Sequence, residues 1–384
     1  VREALTGGGA GRALAATGPV WLAAVGKAAP AMALGARDAL GERIEHSLII
    51  SREGHCPREL LSARGVEVIA GAHPVPDERS LTAGARLLEW VEALPPQVEP
   101  LFLISGGASS LVEVLRAGTT LADLESFTAR ELAAGTAIGE LNARRIALSR
   151  IKGGRLTARL AGRPARALFI SDVPGDDPRV IGSGLLGPAS EGEDRVERAV
   201  VASVEQAVAG AAAAARVRGL SVHAPARRFD DDALRLAARF AHELRLSRSE
   251  VCVWGGESTV QLPPAPGKGG RNQHLALAAA RLIAGQADLM LLAVGTDGTD
   301  GVTEDAGALV DAESCGRVAL DGLDVDDCLA RADSATALAA SGDLVHLGPT
   351  GTNVGDLVIG LKLRPEAAGG LPGGPRGGPR ARML

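Results

Sequence analysis

The stretch Val20-Trp21-Leu22-Ala23-Ala24-Val25-Gly26-Lys27-Ala28-Ala29 decides the fold class. An unbroken apolar run stops at a glycine and a lysine, and small and apolar residues on a helical period then continue to Leu40. A run with no polar alternation suits a strand covered on both faces, and the following period of 3.6 suits a helix packed back on it. The same unit recurs along the chain. Leu48–Ile50 runs into Ser51-Arg52-Glu53-Gly54, Val66–Ala70 into Gly71-Ala72-His73-Pro74, and Leu101–Ile104 into Ser105-Gly106-Gly107. Ala167–Ile170 meets Ser171-Asp172, Val251–Trp254 meets Gly255-Gly256-Glu257, and Leu289–Val294 meets Gly295-Thr296-Asp297. Helices are expected at Ala28–Leu40, Leu81–Leu94, Val196–Val217 and Asn272–Ala284. Alternation of this kind predicts an α/β fold with largely parallel sheets, in which ligands bind at the carboxyl ends of strands. The polar motifs fall at those ends repeatedly.

A chain of 384 residues suggests two domains. Composition breaks at Pro225–Asp232, which divides the chain into 1–228 and 229–364, and the Gly/Pro/Arg-rich tail 365–384 is expected to be disordered. Net charge is −5 and aromatics are 2%, which argues against nucleic acid as a partner. No apolar run approaches the length needed to span a bilayer, and no charged-then-apolar leader with a cleavage site is visible, so a cytoplasmic location is expected. Cys56, Cys252, Cys315 and Cys328 have no CxxC spacing and cannot build a structural zinc site.

Positive charge is carried almost entirely by arginine; the lysines are Lys27, Lys152, Lys268 and Lys362. Lys27 follows a strand and opens a helix, a position suited to a phosphate or carboxylate, or simply to a solvated strand end. Lys-Gly-Gly-Arg occurs twice, at Lys152–Arg155 and Lys268–Arg271. Each copy offers two cations and close backbone approach to an anion, or is a flexible loop with incidental charge. The second copy puts Arg271 at a positive helix N-terminus, which favours an anion meeting it there. Ser105-Gly106-Gly107-Ala108-Ser109 is a strand–helix turn whose small residues suit phosphate oxygens, though ordinary turns look alike. Asp172 and Asp297 head acidic loops that could supply carboxylates to Mg²⁺ or cap helices. His73-Pro74-Val75-Pro76-Asp77 is a proline-braced loop with a binding or a structural role. Gly182-Ser183-Gly184-Leu185-Leu186-Gly187 spells GxGxxG, but no strand enters it and Pro188 follows, so it fails as a dinucleotide turn.

In order, Val25–Ala29, His73–Asp77, Ser105–Gly107, Leu148–Gly154, Ser171–Val173, Ile181–Gly184, Gly255–Glu257, Gly267–Gln273, Gly295–Gly301 and Gly348–Asn353 resemble the glycerate 2-kinase family, whose C-terminal part is the MOFRL domain. The resemblance runs from about Val20 to Lys362. It implies two α/β domains, the first Rossmann-like and the second MOFRL-like, with the active site in the cleft between them. It implies ATP-dependent phosphorylation of D-glycerate to 2-phosphoglycerate with Mg²⁺; separately, a monomer or homodimer is expected. Lys27 and Arg271 match the family's catalytic pair. Gly106, Gly107, Ser109, Lys152, Gly256 and Glu257 are expected around the nucleotide, and His73, Asp77 and Asn272 around the substrate. Asp172 and Asp297 are expected at the metal or as acceptors of the hydroxyl proton. His274 stands where the family pattern has Glu. Two other readings compete: an NAD(P)-dependent hydroxypyruvate reductase, and a non-catalytic binder of sugar acids.

Overall fold

The computed structural model describes residues 1–6, 18–73, 75–133 and 138–363. Pro74, which braces His73 in the sequence reading, and the tail from 364 onward, with the expected disorder of 365–384, lie outside them.

The first sheet contains β1 (Val20–Val25), β2 (Ile44–Arg52), β3 (Val66–Gly71), β4 (Glu99–Ile104), β5 (Ala165–Ile170) and β6 (Val196–Ala202), in the order β3-β2-β1-β4-β5-β6. All its pairings are parallel. The apolar runs fold this way because both faces are covered. Ala23 and Val25 of β1 point into a core with Trp90 and Leu111, while Val20, Leu22 and Ala24 point into a second core with Met32 and Leu60. Strand order reverses between β1 and β4, and at such a switch point two strand ends open a crevice. Lys27 and the Gly106-Gly107 turn sit on either side of it, tied by the Lys27 N–H donating to the Gly106 carbonyl at 2.9 Å and the Ala28 N–H to Ser105 Oγ at 3.0 Å.

The second sheet contains β7 (Val222–His223), β8 (Val251–Gly256), β9 (Leu289–Gly295), β10 (Gly307–Asp311), β11 (Leu344–Val345) and β12 (Asp356–Lys362), in the order β11-β10-β9-β12-β8-β7. β7, β8, β9 and β11 run one way, but β12 inserts antiparallel between β8 and β9, and β10 is antiparallel to β9. Apolar runs report burial on two faces, not direction, so the parallel expectation does not extend to these ladders. Helices Ala233–Leu246 and Arg271–Ile283 cover one face around Phe240, Trp254, Leu275 and Leu291. This sheet takes in Val222–His223, upstream of the expected division at 228.

The long helix expected at Val196–Val217 is two elements. Val196–Ala202 is edge strand β6, and the helix begins at Val204 behind Ser203, whose backbone is extended. β-Branched Val196, Val200 and Val201 favour the strand, and the alanine-rich remainder favours the helix. No described helix is long and apolar enough to cross a membrane.

Candidate active site

Successive strands of the first sheet each deliver one group from their carboxyl ends. Arg52 closes β2, and His73, Lys27, Gly107 and Asp172 follow β3, β1, β4 and β5. The second sheet answers with Glu257 after β8, Asp297 after β9 and Asp356 at the start of β12, which the antiparallel insertion brings to the same end. All of them, with Arg271 and Asn272, line one cavity of about 610 Å³.

Lys27 Nζ donates to Asp297 Oδ2 at 2.9 Å, joining the two sheets across the cavity. Burial acts to raise the Asp297 carboxyl, but the Lys27 charge and hydrogen bonds from Lys27 and Thr299 outweigh it and hold the carboxyl below its usual range. Arg271 sits at the start of its helix. Its Nε donates to Asp356 Oδ2 at 2.8 Å, Nη2 to Asp356 Oδ1 at 3.1 Å, and Nη1 to Glu257 Oε1. Asn272 Nδ2 also donates to Asp356 Oδ1, at 3.0 Å. Asp356 is buried, which pushes its carboxyl up against the pull of the Arg271 charge.

The helix N-terminus behind Arg271 is already occupied from within. Asp300 accepts from the Asn272 N–H at 3.1 Å and from the Gln273 N–H at 2.7 Å. An internal carboxylate therefore meets the dipole that sequence reasoning reserved for a ligand anion. Burial lifts the Asp300 carboxyl to about 6 in spite of those hydrogen bonds. Asp172 also lies near 6, raised first by burial and then by the charge of Glu257; Asn353 Nδ2 donates to its Oδ2 at 3.0 Å. His73 is pushed down to about 4 by burial and by the charges of Lys27 and Arg52, so its ring is neutral near pH 7.

Other expected residues stand elsewhere. Lys152 is fully buried, and its ammonium donates to the Ser109 carbonyl at 2.7 Å and to the buried Glu113 carboxylate, outside the cavity. Burial lowers its proton affinity while Glu113 raises it. The first Lys-Gly-Gly-Arg copy is thus a packing device and not a phosphate loop: Arg155 Nη1 donates to the Ile146 and Lys152 carbonyls. Ser109 Oγ is paired with Ser183 Oγ at 2.8 Å and does not reach the cavity. Asp77 caps helix Glu78–Glu92, accepting from the Arg79 N–H at 2.8 Å, and pairs with the Arg79 guanidinium. Gly106 and Gly256 are required by close packing: a side chain at Gly106 would collide with Asp172 and Asn353, and one at Gly256 with the Phe229 backbone. Gly107 is at φ 86° on the cavity wall, beside His73 and Lys27. The GxGxxG segment is largely buried, with Ile181, Ser183, Gly184, Leu185 and Leu186 in the interior, so it presents no turn to a dinucleotide.

Arg52, Asn353 and Asp356 were missed as site residues, and Asp300 was seen only as part of an acidic loop. Position at a strand's carboxyl end could have flagged Arg52. Asp356 carried no signal, because β12 was not anticipated.

Donors suited to Mg²⁺ are present as scattered carboxylates. No group of three or more ligating side chains is assembled among the described residues. Mg²⁺ does not require one, since it takes one or two carboxylates with phosphate oxygens and water. The raised Asp172 carboxyl, facing Glu257 without a full cation partner, has the donor chemistry for this.

Residues 2–217 match the family described as a domain of unknown function, DUF4147, and residues 250–356 match the MOFRL family. A D-glycerate 2-kinase from Thermotoga maritima is 35% identical over 381 residues, covering 89% of this chain and 90% of that protein. A protein of Agrobacterium vitis named putative hydroxypyruvate reductase is 36% identical over 377 residues, covering 86% of this chain and 96% of its own. The crystal structure of a Thermotoga maritima glycerate kinase superposes with a TM-score of 0.81 at 33% identity, covering 91% of this chain and 92% of that one. The chain belongs to the glycerate 2-kinase family.

Proposed function

We propose that this protein transfers the γ-phosphoryl group of ATP to D-glycerate, giving 2-phosphoglycerate and ADP. The observation that carries the reading is the convergence of Lys27 and Arg271, from opposite sheets, on one cavity lined with carboxylates. Phosphoryl transfer asks mainly for positioning and charge neutralisation, because its transition state is loose and spreads charge over the transferred oxygens. Lys27 is the cation placed to receive that charge, and Asp297 orients it beforehand. The substrate hydroxyl oxygen forms the new P–O bond as the bond to the ADP oxygen breaks. Its proton passes to a cavity carboxylate, and Asp297 stays ionised across the neutral range. Asp172 and Glu257 would hold Mg²⁺, which supplies charge neutralisation at the triphosphate. Arg271, fixed by Asp356 and Glu257, sets the opposite wall. His73 is neutral there and acts through hydrogen bonds.

The test is ADP release with ATP, Mg²⁺ and D-glycerate, with the product identified by phosphorus NMR and an NADPH–hydroxypyruvate reaction run alongside. Formation of 2-phosphoglycerate with NADPH untouched is the expected result. Consumption of NADPH without ADP would replace the reading with the reductase one.

A further inference from the structure

The site's fixed cations are not equivalent. Lys27 is paired with Asp297, and Arg271 is held by Asp356 on two nitrogens and by Glu257 on a third. Both charges are therefore already answered by carboxylates of the protein. Arg52 also lines the cavity, yet its guanidinium has no hydrogen bond or ion pair among the described residues. Its charge is felt by His73, whose proton affinity it lowers.

Arg52 also stands at a boundary. A second cavity of about 250 Å³ adjoins the first and is lined by Pro30, Leu34, His55 and Thr352 among others. Lys27, Arg52, Asp297 and Thr299 line both and form the wall the two share. The larger lobe falls within the range of about 300–1,000 Å³ typical of extended ligands such as nucleotides, and the smaller lies below it. A small hydroxy acid held against the shared wall would meet Lys27 and Arg52 together.

We propose that Arg52 is the specificity-determining residue for the acceptor: its guanidinium takes the carboxylate of a small 2-hydroxy acid at the junction of the two lobes, leaving Lys27 for the transferring phosphoryl group. The assignment rests on the phosphotransferase reading above. A planar fork with free N–H groups matches a carboxylate in two parallel hydrogen bonds, which Arg271, committed to Asp356, does not offer as freely. Arg52 ends β2, beside Lys27 at the end of β1, so the carboxylate and the hydroxyl of one small molecule are addressed by neighbouring strands. An acceptor without a carboxylate leaves the guanidinium unanswered, and that is the source of the discrimination.

The experiment compares wild type with Arg52→Gln and Arg52→Lys in steady-state kinetics, varying D-glycerate and ATP separately and including glycerol as a neutral acceptor. Loss of one charge-assisted contact predicts a rise of about 10- to 100-fold in the KM for D-glycerate in Arg52→Gln. Arg52→Lys should recover part of it, the KM for ATP should change by less than about twofold, and any turnover of glycerol should be untouched. An unchanged KM for D-glycerate overturns the assignment. So does a rise confined to ATP, which would place a nucleotide phosphate on Arg52 instead. Calorimetric titration of D-glycerate into nucleotide-free protein separates this inference from its parent. If wild type shows no kinase activity the phosphotransferase reading falls, whereas heat of binding lost in Arg52→Gln still supports the carboxylate contact, and heat retained overturns it. Because Arg52 is partly exposed and unpaired, unchanged thermal melting is expected in both variants.

Discussion

Lys27 Nζ and Asp297 Oδ2 lie 2.9 Å apart, and the residues that bear them come from the ends of β1 and β9, in different sheets. The pair does two things at once. It holds the ammonium over the cavity, and it supplies a direct electrostatic tie between the two sheets. Both side chains keep some solvent contact, so the pair contributes little to stability, about 1 kcal/mol or less. Its value is positional. Lys27→Ala should lower kcat by about 100- to 1,000-fold, the scale for one preorganised charge contact at a transition state. The melting temperature should move little. Steady-state turnover and a thermal melt on one preparation check both; activity within tenfold of wild type would remove Lys27 from the chemistry.

Arg271 depends on Asp356 in a different way. Asp356 is buried and accepts from Arg271 and Asn272 together. Asp356→Ala would remove the acceptor these two donors share, leaving Asn272 Nδ2 only the longer contact to Asp300 Oδ1 at 3.3 Å. A loss of about 1.5–3 kcal/mol in stability is expected from hydrogen bonds to a charged group. Turnover should fall as well, because the Arg271 guanidinium is then held only by Glu257, itself partly exposed. Asp356→Asn should recover stability better than activity, since an amide oxygen can still accept but the charge is gone. Denaturant melts and kcat for the two variants distinguish these effects.

Most strands of the first sheet, and the motifs at their ends, were legible in the sequence because parallel strands buried on two faces announce themselves as apolar runs. Lys27, Gly107, Asp172, Glu257 and Asp297 could be placed at one end of the fold for that reason alone, whereas Arg271 was flagged by its Lys-Gly-Gly-Arg setting at a helix start. The second sheet was harder. β12 shows alternating burial and reads as neither a core strand nor a helix, so Asp356 was invisible as the partner of Arg271. Lys152 misled because its glycine-rich setting looks like an anion loop. What decides its role is Glu113, distant in sequence and flanked by apolar residues, which no local pattern connects to it. The same limit hid Asp300, where an acidic loop was visible but its return to cap the Arg271 helix was not.

Acid–base behaviour follows from Asp172 and Asp300. Each carboxyl titrates near 6 in the fold, against an ordinary aspartate value of about 3.9 in the unfolded chain. Between those values the folded protein holds protons that the unfolded chain has released. Their contribution to stability is therefore greatest below the lower value and falls as pH rises to about 6, after which it levels off. Glu205 works oppositely, held down to about 2 chiefly by its hydrogen bond from Arg228, with its gain complete above its ordinary range near 4.5. From about pH 4.5 to 6 the two aspartates therefore draw stability down, while His73, held near 4 in the fold against an ordinary value of about 6.5, draws it up. Urea unfolding of wild type and Asp300→Asn in chelator without nucleotide separates the two effects, because His73 is common to both proteins. The wild-type midpoint minus that of Asp300→Asn should fall from about pH 4.5 to 6; a difference that stays constant or rises through this window would contradict the burial argument.

Lys152 and Glu113 give the sharpest separation between a structural and a functional lysine. Both side chains are buried, and the ammonium also holds the Ser109 carbonyl, just beyond the Gly107 turn. Lys152→Ala leaves the Glu113 carboxylate in the core with its cation gone, at a cost of about 3–5 kcal/mol. The double change Lys152→Met with Glu113→Leu removes both charges and should recover most of that loss, because an apolar pair of similar volume needs no partner. If the pair is structural, the folded double variant keeps its KM for ATP within about threefold and a kcat far above that of Lys27→Ala. If Lys152 instead meets a phosphate when the nucleotide binds, the KM for ATP rises steeply in the double variant while its melting temperature stays near wild type. The first pattern follows from an ammonium that already has a buried carboxylate and a backbone carbonyl and does not line the cavity.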